Sequence, residues 1–87
     1  MNNQILQHIQ REFGDNYFFV KDQLETITLH HVMAQSQSNL DNTYKAILDL
    51  CKGDAQKVSQ YVEVAKVDFR DVIYWALIDR NSQNQGR

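Results

Sequence analysis

Three histidines and one cysteine are the side chains of this 87-residue chain best suited to proton transfer near neutral pH, nucleophilic attack or transition-metal ligation. His8 and Glu12 stand four residues apart, a spacing that places both on one face of a helix and offers two ligands to a metal. A zinc-type site needs three or four, and no third ligand accompanies them in sequence. His30 and His31 are consecutive, so on a helix they diverge by about 100° and do not share an ion; one reads as solvated and the other as half-buried. Cys51 is the single cysteine, which excludes an internal disulfide, a paired-cysteine redox motif and a thiolate cluster. It falls on an apolar helical stripe, where a thiol behaves as a small hydrophobe. The three glycines form no phosphate-cradling loop. A domain this small has little core to spare for a catalytic pocket, so the expectation is a protein that is not an enzyme, with no cofactor and no metal.

Charge narrows the partners. Nine Lys and Arg against eleven Asp and Glu give a net charge of -2, which offers no broad attraction to phosphate backbones or anionic lipid. No run approaches the roughly 20 apolar residues of a membrane-spanning helix, and the opening Met1-Asn2-Asn3-Gln4 lacks the basic and apolar regions of a secretion signal. A cytoplasmic location is expected, and a lone cysteine fits a reducing compartment.

The elements that position these residues are helical. Proline is absent and glycine rare, so the punctuation of a many-turned β protein is missing. Ile5, Leu6, Ile9 and Phe13 share a face in helix 1, residues 3 to 13, with Asn2 or Asn3 as cap and Gly14 as terminator. Asp15 is expected to cap helix 2, in which Tyr17, Val20, Leu24 and Ile27 recur toward His31. The β-branched residues Thr26, Ile27, Thr28 and Val32 make a hairpin over 17–32 the competing reading, disfavoured because Lys21-Asp22-Gln23 has no turn residue suited to positive φ. Residues 35 to 39 read as a loop. Leu40, Tyr44, Ile47, Leu48 and Cys51 define helix 3, capped by Ser38 or Asn39 and closed by Lys52 and Gly53. Asp54 caps helix 4, with Ala55, Val58, Val62 and Ala65 on one face, and Asp68 caps helix 5. The expected fold is all-α, a small single-domain bundle of about five short helices over residues 1–80, followed by a disordered polar tail at 81–87.

Helix 5 is unusual because its apolar residues exceed one face. Phe69, Val72, Ile73, Ala76 and Leu77 fill a wide side, leaving Tyr74, Trp75 and Ile78 to look elsewhere. Either the helix is central in the fold or another molecule covers it. Small domains short of core gain burial by twofold self-association, and Trp and Tyr anchor such contacts. The sequence therefore points to a protein–protein interaction module, a homodimer or partner binder. Its interface is formed by Phe18 and Phe19 of helix 2 with Arg70, Tyr74, Trp75 and Ile78 of helix 5. Arg70 is placed to stack on Tyr74, four residues on.

The alternative is a helix-turn-helix DNA-binding protein using helices 3 and 4. Val58-Ser59-Gln60 near a helix start resembles the base-contacting helix of helix-turn-helix repressors, which implies that Lys57, Ser59 and Gln60 face the DNA. The pattern wants a small residue four before the turn glycine, and Asp49 stands there. With Glu63 on the same helix and no excess of cations, nucleic acid is not the expected partner.

Overall fold

Side-chain caps mark where four of the five helices of this chain begin. In the computed structural model, which describes the backbone of residues 1–85 and side chains as far as Ser82, five α-helices follow one another. They are α1 (Asn3–Phe13), α2 (Tyr17–Glu25), α3 (Gln37–Cys51), α4 (Ala55–Val67) and α5 (Phe69–Gln85). Single 3₁₀ turns occupy Gly14–Asn16, Leu29–His31 and Met33–Gln35, and no strand occurs among the described residues. The all-α single-domain bundle is thus the architecture observed, and a hairpin at residues 17–32 is not.

Asn2 Oδ1 accepts from the Ile5 amide at 2.9 Å and starts α1, whose Ile5, Ile9 and Phe13 are buried. Gly14 closes that helix at φ 47°, a region costly for a side chain, and its amide donates to the Gln10 carbonyl. Asp54 Oδ1 caps α4 through the Gln56 amide, and Asp68 Oδ1 takes the Arg70 amide at the start of α5. Lys52 adopts the left-handed conformation as the C-cap of α3, followed by Gly53 at φ 84°.

Four expectations are corrected. Asp15 does not cap α2; it lies within the 3₁₀ turn, and Asn16 precedes the helix without a side-chain cap bond. Helix α2 stops at Glu25 rather than continuing to His31, because Thr26 Oγ1 donates to the Gln23 carbonyl and the Ile27 carbonyl is taken by Tyr44. Helix α3 begins two or three residues earlier than read, since Ser36, not Ser38 or Asn39, is its cap, with Ser36 Oγ accepting from the Asn39 amide. Finally, α5 carries helical backbone past residue 80 to Gln85, with no proline or glycine before Gly86 to stop propagation. The rest of the expected tail, 86–87, lies outside the described residues.

Helix α3 is the hub. It contributes Leu40, Thr43, Tyr44, Ala46, Ile47, Leu48 and Cys51 to the core and packs against α1, α4 and α5. Its one buried polar side chain, Thr43, donates to the Asn39 carbonyl at 2.7 Å. The Tyr44 hydroxyl reaches the Ile27 carbonyl at 2.8 Å, satisfying backbone freed where α2 ends.

Burial pushes the Tyr44 phenol from 10.0 up to about 12 and the Cys51 thiol from 9.0 up to about 12, each helped by nearby carboxylates. The folded state holds both protons more tightly than the unfolded chain. The stability they contribute is therefore complete below about pH 9 and lost as pH rises toward 12. Tyr44→Phe is expected to cost roughly 1–3 kcal/mol at pH 7 by stranding the Ile27 carbonyl, and to flatten part of the alkaline loss, as read by urea unfolding at neutral and alkaline pH.

Candidate functional site

The reactive residues are dispersed by the fold rather than gathered. His8 Nε2 is buried 3.1 Å from Glu12 Oε2 without hydrogen-bond geometry, and no group of three His, Cys, Asp or Glu capable of holding a metal occurs among the described residues. His31 Nδ1 accepts from the Thr28 amide at 3.0 Å, so this ring serves the 3₁₀ turn that replaces the end of helix 2. Cys51 is fully buried and held as a thiol, the state in which it is inert.

An open cleft of about 560 Å³ lies where α1, α3 and α5 converge, lined by Glu12, Asp49, Lys52, Gly53, Ala76, Asp79 and Arg80. Its charges pair across helices: Lys52 Nζ sits 2.6 Å from Asp79 Oδ2, and an Arg80 guanidinium nitrogen 3.3 Å from Asp49 Oδ2. Both pairs tie α5 to α3 or its C-cap. They are exposed and of modest strength, and they act as clasps on the helix pair.

The distinctive surface is the outer side of α5. Val72 and Ala76 are buried with Phe69 against α3 and α4, and Ile73 is half-buried. At about 100° per residue, Tyr74 and Ile78 project away from Val72 and Ala76, with Leu77 and Trp75 on the two flanks. Tyr74 is 61% exposed, Leu77 48%, Ile78 44% and Trp75 40%. The sequence reading assigned Leu77 to the inner face; it is exposed because α3 and α4 cover only the side centred on Val72 and Ala76. Trp75 is held in place by an edge contact with Tyr61 of α4, with ring centroids 6.4 Å apart.

Arg70 begins this strip but does not reach Tyr74 in the stacking arrangement expected. Its guanidinium grips Asp68 through two bonds of 3.0 Å, and this holds the Asp68 carboxyl below its ordinary value. Phe18 and Phe19 are exposed as expected, Phe18 at 74% with its ring edge-on to Tyr17. They do not join the α5 strip. Helix α2 meets α4 on the side of Ser59, which donates to Gln23 Oε1 at 3.1 Å, whereas α5 meets α4 on the side of Tyr61. The two aromatic groups therefore flank α4 from opposite directions.

Of the residues implied by the helix-turn-helix resemblance, Lys57 and Gln60 are exposed, while Ser59 is half-buried in its bond to Gln23. Glu63 shares the exposed side with Gln60. The cross-helix ion pairs of the cleft were not visible in the sequence, because their partners are 27 and 31 residues apart. No protein-family model matches the chain, and no curated protein or solved structure matches it significantly.

The geometry separates two aromatic substitutions. Tyr74→Ala should leave monomer stability within about 0.5 kcal/mol, as expected for an exposed side chain, whereas Trp75→Ala loses its edge contact and half-buried area and should cost roughly 1–2 kcal/mol, measured by denaturant unfolding under dilute conditions.

Proposed function

We propose that this protein is a non-enzymatic interaction module that self-associates through the outer face of α5. The observation that carries the reading is the continuous exposure of Tyr74, Trp75, Leu77 and Ile78 on a helix whose other side is already buried. Four large apolar side chains in one helical strip form the kind of patch that marks an association site. Tyr74 at its centre and Trp75 on its flank are residue types that anchor such contacts.

A second copy is the occupant that fits best. The N-terminal rim of the patch carries the Arg70–Asp68 pair with the exposed Asp71 beside it, so a guanidinium and a carboxylate are available there to pair across two copies. A twofold contact of this kind needs no feature beyond the strip itself. The same composition argues against a lipid surface, because no cationic cluster accompanies the aromatics. No helix among the described residues is long and apolar enough to cross a membrane, and a cytoplasmic location accords with the lone buried thiol. DNA binding through α4 has less support, since Ser59 is engaged within the fold and Glu63 stands beside Gln60.

Sedimentation equilibrium at micromolar concentration tests the reading. A reversible dimer is expected, weakened at least tenfold by Tyr74→Ala and by Trp75→Ala; a strict monomer in the unsubstituted protein would defeat it.

A further inference from the structure

The chain between Val32 and α3 follows a path its residues disfavour. Ala34, at φ 57° and ψ 19°, and Gln35, at φ 49°, are consecutive non-glycine residues in the left-handed region. There the Cβ crowds the following carbonyl, and the penalty falls on residue types that rank among the better formers of right-handed helix. Among the other described residues positive φ falls on Gly14, on Gly53 and on the single non-glycine Lys52, which closes α3 as its C-cap; only here do two non-glycine residues adopt it in succession. The strained path is held by the turn bonds from the Gln35 amide to the Val32 carbonyl and from the Ser36 amide to the Met33 carbonyl, and by two side chains of α3 and its cap. The Asn39 side-chain amide donates to the Met33 carbonyl at 3.1 Å, and Ser36 caps α3. Met33 itself is exposed.

Right-handed helix through 33–36 would relieve this strain and extend α3 toward its N-terminus, with the Ser36 cap given up for the added helical turn. Met33, Leu40, Tyr44, Ile47 and Cys51 are separated by seven, four, three and four residues, so Met33 is already in register with the buried stripe of α3. Straightening would also carry α1 and α2 away from the core of their own chain. Every tie they make across the hinge has an identical partner in a second copy: Ile27 with Tyr44, Gln23 with Ser59, and the apolar residues Ile5, Ile9, Val20 and Leu24 with the core.

We propose that Met33–Gln35 is a strained hinge across which residues 1–32 exchange between two copies of the chain. The closed monomer and the exchanged dimer have the same tertiary ties and differ at the hinge, where the dimer releases two left-handed residues in each chain. This exchange uses no part of the α5 face and stands or falls apart from it.

The test is made on the full chain carrying Tyr74→Asp, which removes association through α5. Equal amounts of ¹⁵N-labelled and ¹³C-labelled chain are unfolded, mixed and refolded together at millimolar concentration, and the dimer fraction is isolated. Exchange predicts isotope-filtered NOEs between Ile27 of one chain and Tyr44 of the other. It also predicts that Ala34→Gly with Gln35→Gly lowers the dimer association constant at least about tenfold, because glycine removes the penalty from the closed form and weakens the helical open form. A protein that refolds only as monomer, a dimer with no such NOEs, or a dimer population unchanged by the glycine pair would overturn the proposal.

Discussion

Helix α5 is covered on one side only, and that constraint shapes both the stability of the domain and what its surface can do. A chain of 87 residues buries a smaller share of its surface than a larger domain does. Here α3 and α4 together screen Phe69, Val72 and Ala76, while among the described residues no element lies over Tyr74 and Ile78. The apolar strip follows from having more hydrophobic circumference on one helix than two neighbours can hide.

The rest of the bundle is organised to hold that helix firmly while leaving its outer side open. Cys51, Leu48 and Ile47 of α3 form the buried floor, and Lys52–Asp79 and Asp49–Arg80 clasp the cleft side. Trp75 leans on Tyr61, so one aromatic of the strip is positioned by α4 and Tyr74 remains free to project. Holding Trp75 against Tyr61 favours association, because that side chain has little freedom left to lose on contact. The reactive groups have been turned to structural use instead: His31 supports a turn, and Cys51 is a core side chain.

Much of this was legible in the residues. The starts of α1, α4 and α5 follow from Asn2, Asp54 and Asp68 placed before apolar periodicity, and the end of α3 from Lys52 and Gly53. The region from Thr26 to Ser36 was not legible, for two physical reasons. Thr26 diverts a backbone carbonyl with its own hydroxyl, and Ala34 and Gln35 adopt positive φ with none of the glycine or asparagine that ordinarily announces it. The outward set Tyr74, Trp75 and Ile78 could be read from spacing alone, but Leu77 could not, since which flank of a helix its neighbours cover is a tertiary property. For the same reason Phe18 and Phe19 looked like part of the α5 surface, although α4 lies between them and it.

The most direct test of the uncovered strip is an NMR dilution series on the unmodified chain, following the Trp75 indole, the Tyr74 ring and the Leu77 and Ile78 methyl groups from millimolar to micromolar concentration. Resonances of these four residues should move together and saturate, while those of Phe18 and Phe19 on the far flank of α4 stay fixed. Shifts that are constant throughout the range, or that move at Phe18 and Phe19 instead, would contradict the account.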